Sequence, residues 1–179
     1  DDGLRTPGSH DGMAAFRVGE RVHLVRNHER GGGSSFAPGA LTYDPAAAGG
    51  TTTLVFDPDA GQLVESYASL AGTMTNCAGG PTPWGTWLTC EENFSVTATG
   101  KRHGYAFEVP AVGAAAPVPL TALGRFKREA TATDPATGIV YMTEDEGTSA
   151  LYRFVPDRYG DLTSGRVEAM KLTGTTTTK

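Results

Sequence analysis

The chain has little that would mark a nucleic-acid partner, a membrane span or a helical domain. A formal net charge of −5 comes without any large block of one sign, and no basic stripe with interleaved aromatics offers a surface for a phosphate backbone, so no nucleic-acid partner is expected. No apolar run approaches the roughly 18–20 residues of a membrane span. Asp1-Asp2-Gly3 does not read as a secretory signal, so an exported protein would already have lost its leader. Sustained 3.6-residue periodicity is almost absent, which leaves helix scarce. Gly-x-Ser-x-Gly, the strand-turn-helix elbow of a serine nucleophile, is absent as well. Cysteine is limited to Cys77 and Cys90, and these admit two readings: a disulfide in an oxidising compartment, or one or two thiolates on a metal.

What is present points to β-structure. With 179 residues, 39% of them hydrophobic, the chain is long enough for one domain with a core. Its 24 glycines, 11 prolines and threonine-rich runs predict many short strands joined by turns. Met13 to Val18 and Arg21 to Arg26 flank Gly19-Glu20 as a hairpin. Asp57-Pro-Asp-Ala-Gly61 and Asp134-Pro-Ala-Thr-Gly138 are turns that proline starts and glycine finishes. A further short strand is expected near Ala40 to Tyr43, others at His103 to Val109 and Ala150 to Val155, and a loop over Pro110 to Pro119. Strand spacings of roughly 8–12 residues fit a sandwich, barrel or propeller. The recurring Asp-Pro-x-x-Gly turn, read as a weak internal repeat, favours the propeller. The expected fold is all-β, a partial β-propeller of several blades of short antiparallel strands. Both ends read as loop, the last residues closing in a threonine run, so residues 1–179 are expected to be a single region of a longer chain.

Both cysteines and both tryptophans fall in one stretch, Asn76-Cys77-Ala-Gly-Gly-Pro-Thr-Pro-Trp84-Gly-Thr-Trp87-Leu-Thr-Cys90-Glu91-Glu92-Asn93. Its first half is a Gly/Pro turn that holds Cys77. From Trp84 a two-residue period places Leu88 and Cys90 on one face and Trp87, Thr89 and Glu91 on the other. Glu91, Glu92 and Asn93 are expected to turn together toward a ligand beyond the strand end. Two adjacent carboxylates repel unless a cation sits beside them, and a metal ion is one such cation.

Other polar clusters also fall at strand ends: Arg26 to Glu29, Arg125 to Glu129 and Glu144 to Glu146. Each has an ordinary reading as solvated charge, and the basic run as an edge that discourages aggregation. Convergence on one mouth would instead join carboxylates suited to hard cations with a thiolate suited to a transition metal. Arg125, Lys127 and Arg128 would suit an anionic substrate oxygen.

The long stretch from Asn76 to Glu92 resembles the signature of the PhoX-type alkaline phosphatases, also described as DUF839 proteins. The likeness continues in His10-Asp-Gly-Met13, Leu24-Val-Arg-Asn-His-Glu29, Gly124-Arg-Phe-Lys-Arg-Glu-Ala130 and Ile139-Val-Tyr-Met-Thr-Glu-Asp145. The resemblance implies a β-propeller phosphomonoesterase, exported by the twin-arginine route to the periplasm or outside the cell, with a calcium and iron cluster that includes a cysteine ligand. By motif position it implies metal ligation by Cys77, by Glu91 or Glu92, by Glu129, and by Glu144 or Asp145, with Arg125 or Arg128 contacting the phosphate ester. Family members are longer, so this chain would carry roughly the N-terminal half of the propeller, with the remainder as its partner. The alternative is a secreted structural or binding module without catalysis, its Cys77 and Cys90 joined as a disulfide.

Overall fold

A computed structural model describes residues 2–174; Asp1 and residues 175–179, which include the threonine run, lie outside the described residues. Among the described residues, eleven strands form three antiparallel sheets, with two 3-10 turns, Gly39–Leu41 and Thr121–Leu123, and no α-helix. The first sheet holds β1 (His10–Val18), β2 (Arg21–His28), β3 (Gly49–Asp57) and β4 (Gln62–Thr73). The second holds β5 (Asn76–Pro81), β6 (Thr86–Glu91) and β7 (Ala106–Pro110). The third holds β8 (Arg128–Thr133), β9 (Val140–Glu144), β10 (Leu151–Pro156) and β11 (Gly165–Ala169).

Within each sheet every strand pairs with the next in the chain. The first strands lie side by side, β1 against β5 and β5 against β8, so each meander starts inside and steps outward. This is the blade arrangement of a propeller, and the chain forms part of one. No helix among the described residues is long and apolar enough to cross a membrane.

Alternation along the second sheet explains how the blades stack. Leu88, Cys90 and Ala106 face the third sheet and pack with Val140, Met142 and Phe154. Trp87, Phe107 and Val109 face the first and pack with Val25 and Leu70. Both faces of the middle blade are buried, which is why apolar residues stand on both, Leu88 and Cys90 on one and Trp87, Phe107 and Val109 on the other.

Glycine governs how closely the inner strands approach. A Cβ at Gly12 on β1 would lie 2.9 Å from the Cys77 carbonyl oxygen, and one at Gly80 on β5 only 2.0 Å from the Thr131 carbonyl oxygen on β8. Side-chain-free positions at these crossings let backbone pack on backbone.

The expected hairpins form with the turns named for them. Val18 pairs with Arg21 across Gly19-Glu20, Asp57 with Gln62 and Thr133 with Val140. In the two longer turns Asp57 and Asp134 accept backbone amide hydrogens two residues on, and Gly61 and Gly138 take φ values of +64° and +73°. The turns occupy different places, however. The first joins the third and fourth strands of its blade and the other the first and second, so they share turn chemistry without marking equivalent points of a repeat. The strand expected near Ala40 to Tyr43 is instead the first 3-10 turn followed by an isolated bridge from Thr42 to Ala71. Pro38-Gly39 opens a tight turn too short to extend.

Candidate metal centre

The three inner strands share an irregularity at one level. Strand register shifts between His10 and Met13 in β1, between Asn76 and Gly79 in β5, and between Arg128 and Thr131 in β8. A bulge breaks the ladder and re-aims a side chain, and in the three strands the displaced residues include Asp11, Cys77 and Glu129.

Cys77 is 5% exposed and its Sγ lies 3.3 Å from Glu129 Oε2 and 3.6 Å from the Arg128 carbonyl oxygen. Glu92, just past the end of β6, completes a set in which one ligand atom each from Cys77, Glu92 and Glu129 lies within 4.8 Å of the others. Burial raises the pKa of Glu92, and so do the nearby charges of Glu129, Asp145 and Glu29. Burial likewise raises Glu29, together with the charge and hydrogen bond of Asp11 and the charge of Glu129. Burial, then the adjacent Glu129 charge, pushes the Cys77 thiol up. The thiol and the crowded carboxylates would therefore ionise together only beside a cation. Among the described residues no ion pair neutralises Asp11, Glu29, Glu92, Glu129 or Asp145. One soft sulfur beside hard oxygens is a donor set that a transition metal accepts.

The structure separates the other named residues from this group. Glu91 does not turn out with Glu92. It is still within β6, so alternation sends it inward, where it is fully buried. Its carboxylate accepts hydrogen bonds from the amides of Met74 (2.9 Å), Gly104 (2.8 Å) and Tyr105 (3.1 Å) and from His103 Nδ1 (2.7 Å). Asn93 caps the Ser95 amide. Glu144 accepts from the Ala150 amide and the Tyr152 hydroxyl, which ties it to the turn before β10. Asp145, one residue on, contributes its charge at Glu92.

Neither arginine presents a free guanidinium. Arg125 lies over the Phe94 ring at 3.7 Å and donates to the carbonyls of His103, Phe94 and Ser95. Arg128 is fully buried, lies over Phe126 and donates to the carbonyls of Leu123 and Gly124. Both clamp loops, because a planar fork of donors satisfies several carbonyls at once. Lys127, paired with Glu146, lies in the field of Glu92 and Asp145. Cys77 and Cys90 are free thiols. Cys90 is packed in the core facing the third blade, where burial raises its pKa to about 12, so the disulfide reading is not met.

Beneath the centre lies a network the sequence did not announce. His103 joins Glu91 to Asp44 through its two ring nitrogens, at 2.7 and 3.1 Å, with all three side chains fully buried. Burial would lower the pKa of His103, but the hydrogen bond and charge of Glu91, then those of Asp44, raise it. Burial would raise Asp44, yet hydrogen bonds from Thr97, the Ala46 amide, His103 and Thr99 hold it at about 2. The signs differ. Asp44, depressed from 3.8, contributes stability above its ordinary value that is lost as pH falls toward 2, on the order of 2 kcal/mol. His103, raised from 6.5, contributes below that value and loses its contribution as pH rises through its folded pKa. Urea midpoints should therefore peak between about pH 4 and 6.5, and Asp44→Asn should flatten the acid limb. An acid limb unchanged by that substitution would contradict the assignment.

Comparison with curated protein sequences gave no match. Among solved structures, the chain is similar to "Pseudomonas fluorescens PhoX in complex with vanadate, a transition state analogue", with a TM-score of 0.66 at 20% identity. The alignment covers 91% of this chain and 45% of that one, so this chain spans less than half the length of that relative. At that identity the likeness speaks for the fold. The sequence profile of "Alkaline phosphatase PhoX" matches residues 56–178, a span that contains Cys77, Glu92, Glu129 and Asp145 and well over half of the chain. The bulged inner strands and the cysteine and carboxylates they gather are thus features of a member of the PhoX alkaline phosphatase family, to which this chain belongs.

Proposed function

We propose that this chain is part of a metal-dependent phosphatase that hydrolyses phosphate monoesters in the periplasm or outside the cell, reached by the twin-arginine route, with calcium and iron as cofactors. The observation that carries the reading is the meeting of Cys77 and Glu129, on two bulged inner strands, with Glu92 past the end of β6, none of the three in an ion pair among the described residues. The vanadate held by the Pseudomonas fluorescens protein as a transition state analogue supports oxyanion chemistry for the family. Calcium and iron, when bound, would neutralise phosphate oxygens and polarise the ester for in-line displacement.

This chain's own residues divide the work. Cys77, Glu92 and Glu129 would hold the sulfur-bearing site, and Asp11, Glu29 and Asp145 would supply further oxygens around it. Lys127, exchanging its exposed ion pair with Glu146 for the ester, would meet the ester's negative charge, whereas Arg125 and Arg128 are committed to carbonyls. Residues beyond this chain would complete the cluster, in keeping with the 45% coverage of the solved relative.

The test is p-nitrophenyl phosphate hydrolysis by the full-length protein, with and without calcium and a chelator, beside Cys77→Ala. The expected result is chelator-sensitive turnover that the substitution lowers by at least about tenfold, the scale on which disturbed metal sites lose activity. Unchanged, chelator-insensitive turnover in Cys77→Ala would remove Cys77 from the mechanism.

A further inference from the structure

The bulge that presents Cys77 is held from another blade. Between the pairs Asn76↔Glu91 and Gly79↔Thr89, β5 carries two residues that oppose a single residue of β6, so Cys77 and Ala78 drop out of the regular ladder. Buried carbonyls freed in this way need donors. Asn27, on β2 of the first blade and fully buried, supplies them: its Nδ2 donates to the carbonyls of Cys77 (3.2 Å) and Ala78 (2.8 Å). Its Oδ1 accepts from Trp87 Nε1 (2.9 Å) and Thr89 Oγ1 (2.8 Å).

A carboxamide offers two donors and two acceptor lone pairs, and all four are used here. The orientation is unambiguous, because indole nitrogen only donates and carbonyl oxygen only accepts. We infer that Asn27 is the positioning residue of the centre: it braces the β5 bulge against β6 and so fixes the direction in which the Cys77 thiol leaves the strand toward Glu129. None of its four hydrogen bonds goes to the thiol or to the carboxylates. No other side chain of this size replaces it. Aspartate would set a carboxylate against two carbonyl oxygens, and leucine would leave two donors and two acceptors buried without partners.

The inference rests on the reading of Cys77 as a metal ligand, so the experiment separates the two. Cobalt(II) is titrated into the full-length protein, stripped of its resident metal by chelation, while the sulfur-to-cobalt charge-transfer absorption is followed, in the wild type, Cys77→Ser, Asn27→Asp, Trp87→Phe and Phe154→Leu. Wild type is expected to show the band and Cys77→Ser to lose it. Asn27→Asp should weaken cobalt binding about tenfold to a hundredfold, the usual consequence of losing an outer-shell partner, and alter the band. Trp87→Phe, which removes one bond to Asn27 and leaves both carbonyl contacts, should give a smaller loss in the same direction and serves if Asn27→Asp does not fold. Phe154→Leu trims the core between the second and third blades while leaving every hydrogen bond of the bulge in place; it should lower stability and leave affinity and spectrum unchanged, whereas a merely structural role for Asn27 would make affinity fall with stability in both variants. Wild-type affinity and spectrum in Asn27→Asp, or in Trp87→Phe should Asn27→Asp not fold, would overturn the positioning role while the metal reading stands. A wild type without the band, or a band that survives in Cys77→Ser, would overturn the metal reading and this inference with it.

Discussion

Glu91→Ala should destabilise the chain by about 3–5 kcal/mol, the range for breaking a buried charged pair and leaving its partners behind. The residue is fully buried, and its removal would strand the amides of Met74, Gly104 and Tyr105 together with the His103 ring. An exposed carboxylate would be worth little, because water replaces its partners. Here none is available, and each orphaned donor retains its desolvation penalty. Glu91→Gln should recover only part of the loss, since its amide nitrogen would face donors. By contrast, Glu92→Gln should relieve like-charge crowding and leave stability unchanged or raised while weakening metal retention. Chemical denaturation of both variants decides the matter. Near-equal stability of Glu91→Ala and Glu92→Gln would refute the division of this adjacent pair into one buried brace and one ligand.

Gly80→Ala is expected to cost about 3 kcal/mol or more, at or beyond the upper end for overpacking. The added Cβ would sit 2.0 Å from the Thr131 carbonyl oxygen and 2.6 Å from its hydroxyl. A flexible side chain could swing away, but a backbone oxygen moves only if β8 separates from β5. Because Glu129 is two residues from Thr131, that separation would also pull the carboxylate away from Cys77. Stability and metal binding should therefore fall together. Gly12→Ala, with its nearest contact at 2.9 Å, should show a smaller effect. Gly31→Ala, where a Cβ meets nothing within 4 Å, serves as the reference. Urea denaturation that places Gly80→Ala within about 0.5 kcal/mol of Gly31→Ala, the spread of ordinary surface substitutions, would show that the inner strands tolerate separation.

Much of the fold was legible because its signals are local. Gly19, Gly61 and Gly138 adopt positive φ, and Asp57 and Asp134 bond to amides two residues away, so each turn carries its own cause. The alternation from Thr86 to Glu91 was readable for the same reason. β11 (Gly165–Ala169) escaped notice because Arg166 and Glu168 bond to each other at an exposed edge, leaving no apolar pattern. The Asp-Pro-x-x-Gly turns suggested a repeat that the blades do not have, since identical turn chemistry serves any hairpin.

At the centre, Cys77, Glu92 and Glu129 were all among the residues singled out from the sequence, but so were Glu91, Glu144, Arg125 and Arg128. Asp44 read as a turn former and His103 as the start of a strand, yet they meet 59 residues apart in sequence. Asn27 lay inside a polar cluster with nothing to mark it above its neighbours.

The order of residues alone was enough to specify an all-β chain, its hairpins, and the sulfur and carboxylates on offer, because backbone dihedral limits and side-chain alternation act within a few residues. Which of two adjacent glutamates reaches the cation site, and that the arginines spend their donors on loop carbonyls, emerged only from the packing of blades. Those assignments depend on partners tens of residues away, such as the bulge at Cys77 braced by Asn27, and no local pattern encodes a neighbour that only folding brings near.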